Sequence, residues 1–125
     1  GKGKPAPEEA SAPEGTVPPK TETPHTVARG GNKTAGAPPI GEPNSIHEQI
    51  RPDGGRSVTY YDEKGRAFSR EDYGQQRTHG VLGKGADGKS VPHEHGTDFS
   101  DKGPIGKRYR ELDANGKPVG PWHDD

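Results

Sequence analysis

Histidine can take and give a proton near neutral pH, and it is also the commonest protein ligand for a metal ion. The chain has six histidines, and two of them stand two residues apart in Pro92-His93-Glu94-His95-Gly96. Residues at that spacing on a strand project from one face, so His93 and His95 would stand side by side. His79 lies upstream, two residues after Arg77, and His123 sits between Trp122 and Asp124. His25 has no candidate ligand near it in sequence and reads as inert.

Two chemistries suit this set. In the first, one histidine deprotonates a ribose 2′-hydroxyl and another group protonates the leaving 5′-oxygen, while a cation stabilises the charged phosphorane. The cations on offer are Arg70, Arg77, Lys107, Arg108 and Arg110, and Glu71, Asp72 or Glu94 can orient or replace a histidine. On a strand Arg108 and Arg110 share a face, with Tyr109 on the other. In the second chemistry His93 and His95 bind a divalent metal, His79 or a carboxylate adds a third ligand, and the ion activates water. Spacing fixes no third ligand, so the metal-free route is preferred and no cofactor is expected. Gly80-Val81-Leu82-Gly83-Lys84-Gly85 lacks the strand-turn-helix setting of a phosphate cradle and reads as a flexible loop.

These side chains need a frame, and composition limits what the frame can be. Of 125 residues only 22% are hydrophobic and 30% are charged, with 20 Gly and 14 Pro. Such a chain cannot bury enough apolar surface to order its whole length. Residues 1–45 carry nine of the prolines and only isolated large apolar residues (Val17, Val27, Ile40), which predicts a disordered, partly polyproline leader. The net charge of −1 removes the basic excess expected of a general nucleic-acid binder. The absence of cysteine excludes disulfide and thiol chemistry. No apolar run reads as a signal peptide or a membrane span. The start at Gly1 suggests a piece of a longer protein, exported by other sequence if it is exported at all.

From Ile46 onward apolar residues recur every few positions between turn signals, which is a β pattern. Ser45-Ile46-His47-Glu48-Gln49-Ile50 reads as one helical turn capped by Ser45 and stopped by Pro52. Residues 57–73 form a hairpin around Asp62-Glu63-Lys64-Gly65, and residues 107–120 form a second around Ala114-Asn115-Gly116-Lys117. The echo of Tyr-Asp-Glu-Lys-Gly-Arg in Leu-Asp-Ala-Asn-Gly-Lys places both in one sheet. The expectation is a mainly β domain over 46–125: a small twisted antiparallel sheet of four to six strands behind the leader. Its core would be marginal without a partner or a metal.

The run from Tyr60 to His95 adds a resemblance. Tyr-Tyr-Asp-Glu-Lys-Gly-Arg-Ala-Phe, Arg-Glu-Asp-Tyr, the isolated His79 and Pro-His-Glu-His resemble the C-terminal toxin modules of bacterial polymorphic toxins, the contact-dependent inhibition and Rhs-type effectors. Among these the run is similar to the type 24 toxin group, although the stretch between His79 and Pro92 is longer than in that pattern. The resemblance implies a domain secreted at the end of a larger effector, acting on RNA (tRNA or rRNA) in the target-cell cytoplasm and neutralised by a cognate immunity protein. The carry-over reaches Asp72, His79, His93 and His95. A non-catalytic binding module of a secreted protein is the other class the residues allow.

Overall fold

The structure, a computed structural model, describes residues 25–29 and 37–125. They form one open sheet of seven strands in sequence order. The strands are β1 (His25–Arg29), β2 (Ile46–Ile50), β3 (Arg56–Tyr61), β4 (Ala67–Tyr73), β5 (His93–Ser100), β6 (Gly103–Glu111) and β7 (His123–Asp124). Every neighbouring pair is antiparallel except β1 with β2, which is parallel. The mainly β expectation holds, and no helix among the described residues is long and apolar enough to cross a membrane.

The sheet exceeds the expected four to six strands because both edges gain one. β1 falls inside the stretch read as a disordered leader, and β-branched Thr26 and Val27 give it strand character. Residues 37–44 are also tied to the sheet: the Tyr61 hydroxyl donates to Pro38 C=O at 2.6 Å, and Gly41 N–H donates to Gly65 C=O at 2.8 Å. The rest of the predicted leader lies outside the described residues. The helical turn expected at 45–50 is instead β2. A six-residue helix forms too few bonds to offset its nucleation, whereas β2 bonds along both edges, to β1 and to β3. Ser45 Oγ donates to Glu42 C=O at 2.7 Å and caps nothing.

The two turns that echo in sequence match in structure. Asp62 Oδ1 accepts from Lys64 N–H (2.9 Å) and Arg66 N–H (2.8 Å), with Gly65 at φ 78. Asp113 Oδ1 accepts from Asn115 N–H (2.8 Å) and Lys117 N–H (2.9 Å), with Gly116 at φ 83. A short carboxylate supplies the acceptor for two turn amides, and glycine supplies the left-handed corner. The first turn joins β3 to β4. The second ends β6, and its return arm meets β6 at the Leu112–Pro118 bridge, flanked by Val119 N–H donating to Glu111 C=O at 3.1 Å.

Alternation then divides the sheet into two faces. On one, Ser57, Asp72, His93 and Glu111 form a row across β3 to β6, and Thr59, Arg70, His95 and Tyr109 form the next. On the other stand Val58, Glu71, Glu94 and Arg110, then Tyr60, Ser69, Gly96 and Arg108. Buried apolar residues are few: Ile46, Val58, Tyr61, Phe68, Leu82, Tyr109 and Leu112. Buried polar ones outnumber them, so polar networks take much of the place of a core.

Candidate active site

Asp72 is central to the first face. Its side chain is fully buried, and the Ser57 hydroxyl donates to Oδ1 at 2.6 Å. Arg70 donates to it through Nε at 3.1 Å and lies 3.0 Å away through Nη2. His95 Nε2 lies 3.1 Å from Oδ2. Burial pushes the Asp72 carboxyl upward, but the His95 hydrogen bond, the Arg70 charge and the Ser57 hydrogen bond outweigh it and hold the group at about 2. Asp72 is therefore a carboxylate at neutral pH.

His93 sits opposite Asp72 in the ladder and its side chain is 0% exposed. Its Nδ1 lies 3.0 Å from Val91 C=O. A carbonyl only accepts, so Nδ1 carries a hydrogen, and in the neutral ring Nε2 carries the lone pair. Nε2 lies 3.6 Å from Asp72 Oδ2 and has no hydrogen-bond partner among the described residues. Burial is the main influence on the ring and lowers its pKa, against the opposing pull of the Val91 carbonyl and Asp72.

His95 is 18% exposed and lies between two carboxylates. Besides Asp72 at Nε2, Asp125 Oδ2 lies 3.5 Å from Nδ1. His79 reaches the same cluster from the long connection between β4 and β5. Its Nε2 lies 3.2 Å from Asp125 Oδ1 and its ring packs edge-on to His95 with centroids 4.5 Å apart. It also stacks 5.6 Å from His93 and packs edge-on to Tyr109 at 4.6 Å. Partial burial nudges the Asp125 carboxyl up, but the hydrogen bond and charge of His79, with those of His95, bring it below its usual value.

The connection holds His79 there by close contact. Val81 N–H donates to the Tyr109 hydroxyl at 3.1 Å, Leu82 is buried, and Gly80 adopts φ 55. A Cβ on Gly80 would meet the Tyr109 hydroxyl at 2.1 Å, so only glycine lets the chain pass. The segment expected to be a flexible loop is thus anchored at its start, and Lys84 bridges to Ser90 at its end.

Beside His95 lies an open cleft of about 520 Å³, lined among others by Arg70, Thr97, Lys107 and Asp125. Of the residues singled out from sequence, Asp72, His79, His93 and His95 come together, and Arg70 and Lys107 flank them. Arg108 and Arg110 do not. Strand alternation sends both to the opposite face, where they stack on Trp122 at 4.5 and 4.1 Å. There Arg110 donates to Glu94 at 2.9 Å and Arg108 to Asp98 at 3.2 Å. Glu71 and Glu94 share that face and cannot orient the histidines. Arg77 is exposed and is not among the residues lining the cleft. His123 pairs with Tyr109, ring to ring at 5.2 Å, at the margin of the cluster.

Asp125 is the residue that sequence reasoning missed. It lies 30 positions from His95 along the chain, and only the β6–β7 pairing, continued by Asp125 N–H to Lys107 C=O at 3.0 Å, brings it in. Two groups present ligand atoms within 4.8 Å of one another: Asp72, His93 and His95, and His79, His95 and Asp125. The chain matches no family model, no curated protein and no solved structure.

Proposed function

We propose that this domain is a ribonuclease that cleaves RNA by metal-independent acid/base catalysis. In this reading it is the toxic end of a larger secreted antibacterial effector, acts in the target-cell cytoplasm and is held in check by a cognate immunity protein. One observation carries the catalytic proposal: His95, braced by Asp72, opens onto a cleft that Arg70 and Lys107 also line.

The chemistry follows from that arrangement. Arg70 and Lys107 draw a phosphodiester into the cleft and offset the charge that builds on its oxygens. His95 and His79 form two imidazoles in contact, each paired with a carboxylate. One takes the proton from the ribose 2′-hydroxyl as that oxygen attacks phosphorus. The other gives a proton to the departing 5′-oxygen, leaving a 2′,3′-cyclic phosphate and a free 5′-hydroxyl. Asp72 and Asp125 stabilise whichever ring is charged. His93 is a positioning residue, since its side chain has no exposure with which to touch RNA. The near-neutral net charge supplies no general basic surface, so recruitment of the phosphate falls to these two local cations. The delivery and immunity parts rest on the resemblance of residues 60–95 to polymorphic toxins.

The test is to incubate total RNA with the purified chain, with and without a chelator, and to repeat it with His95→Ala and His79→Ala. Cleavage should survive the chelator, leave cyclic phosphate ends, and fall about 10²- to 10⁴-fold in His95→Ala. Expression in bacteria should arrest growth, and His95→Ala should relieve the arrest. Loss of cleavage with the chelator would assign the reaction to a bound ion instead. Harmless expression without cleavage would make the domain a non-catalytic binding module.

A further inference from the structure

The buried half of the histidine cluster is not explained by acid/base chemistry alone. The neutral His93 ring turns the lone pair of Nε2 toward the ionised Oδ2 of Asp72 at 3.6 Å, with no donor between them among the described residues. Two acceptors facing each other inside a protein repel, and a cation between them removes the conflict. His93 is also prepared for that use. Its Nδ1–H is held by the Val91 carbonyl at 3.0 Å, the backbone bond that fixes the tautomer and ring direction of a metal-ligating histidine.

A third donor converges on the same point. His95 Nε2 lies 3.1 Å from Asp72 Oδ2, and the three ligand atoms of Asp72, His93 and His95 all lie within 4.8 Å. Tetrahedral bonds of about 2.0–2.1 Å separate neighbouring donors by roughly 3.3–3.4 Å, so the two separations of 3.6 and 3.1 Å require only small shifts. Arg70 is the one arginine or lysine paired with Asp72 among the described residues, and its side chain is 47% exposed, able to turn into the cleft when an ion takes its place. His79 stacks over His93 and shields the trio from the side of the long connection.

We propose that Asp72 Oδ2, His93 Nε2 and His95 Nε2 form a binding site for a divalent transition ion of the zinc class, and that the ion silences the domain. Two imidazoles and one carboxylate select Zn²⁺, Co²⁺ or Ni²⁺ over Mg²⁺ or Ca²⁺. Silencing follows because an ion on Nε2 takes His95 off its brace on Asp72 and leaves the hydrogen of the neutral ring on Nδ1, the nitrogen on the Asp125 side, so the ring can no longer accept a proton there. This half rests on the ribonuclease reading, whereas the site itself does not.

Cobalt titrated into the chelator-treated full chain reads the site directly, since four-coordinate Co²⁺ absorbs strongly in the visible where the six-coordinate aqueous ion does not. The expected result is such a band, saturating at one ion per chain, displaced by Zn²⁺, retained in His47→Gln and lost in both His93→Gln and His95→Gln. If His93→Gln does not fold, nitrogen NMR of the unmodified protein with Zn²⁺ must show the His93 Nε2 resonance shifting. No band, or one that persists in His93→Gln, overturns the site. In the RNA assay stoichiometric Zn²⁺ should lower cleavage at least about tenfold, with recovery on chelation; undiminished cleavage with the ion bound overturns the silencing. A band in a chain that cleaves no RNA in any form overturns the ribonuclease reading and leaves the site standing.

Discussion

The two faces of the sheet across β4, β5 and β6 use the same device for different ends. Each buries a carboxylate that is 0% exposed, Asp72 on one and Glu94 on the other, and each gives it a hydroxyl and an arginine. On the Glu94 face Ser69 donates to one oxygen and Arg110 to the other, and Trp122 covers Arg108 and Arg110 as a lid. On the Asp72 face Ser57 and Arg70 hold the carboxylate, but three imidazoles crowd in beside them and His93 Nε2 is left unmatched. In the first network both carboxylate oxygens are matched and the arginines are covered, although Arg108 Nε is buried without a hydrogen-bond partner among the described residues. The second stays incomplete and opens at one end onto a cleft, which is how a site differs from a staple.

The largest contrast lies in activity. His95→Ala should reduce RNA cleavage about 10²- to 10⁴-fold, while Arg108→Ala leaves the rate per folded molecule unchanged. Equal losses in the two variants would erase the distinction between the faces.

Stability should show the reverse contrast. Glu94→Ala strands Arg110 against Trp122 and should cost about 3 kcal/mol in urea unfolding, with the surviving folded protein still active. A cost below about 0.5 kcal/mol would mean that the Glu94 network holds nothing together.

Acid should loosen the Asp72 face first. His93 has a lowered pKa in the fold, so the unfolded chain binds its proton first, and stability begins to fall as the pH drops below about 6.5. Asp72 is ionised in the fold down to about 2. Its contribution is complete above the unfolded value near 4, roughly 2 kcal/mol, and is lost as the pH falls from there toward 2. Unfolding midpoints at pH 7.5, 5.5 and 3 should decline in that order, and Asp72→Asn should lessen the decline below pH 4, leaving the share of Asp125, whose carboxyl is also held below its usual value. A decline in Asp72→Asn as steep as in the parent would assign the acid sensitivity elsewhere.

A subtler change sharpens the comparison within the active face. Gly80→Ala forces a left-handed alanine against the Tyr109 hydroxyl and should lift His79 away from His95. Cleavage should drop about 10- to 100-fold through lost positioning, with a stability cost of about 1 kcal/mol. An unchanged rate would remove His79 from the reaction.

Much of this fold is legible in the sequence. The Asp-x-x-Gly turns at 62–65 and 113–116 are local chemistry, since each carboxylate bonds amides two and four residues on. The pairing of His93 with His95 follows from the two-residue period of a strand, and so does the separation of Tyr109 from Arg108 and Arg110. The error at β2 has the same local origin: a serine three residues before a glutamate is the sign of a helix start, and it carries no information about the partner strands on either side. β1 was hidden for a similar reason, because its only reward for ordering is a pairing with residues some twenty positions away.

What the sequence determined by itself is therefore the set of chemical groups, the turns, and which neighbours along a strand share a side. Those properties depend on bonds spanning a few residues. The tertiary structure alone decided which side of β6 meets the histidines, that Arg70 and Lys107 rather than Arg108 and Arg110 border the cleft, and that Asp125 closes it. Each depends on strand register and on the path of the 74–92 connection, set by contacts such as Gly80 against Tyr109 between residues far apart in the chain, which no local pattern encodes.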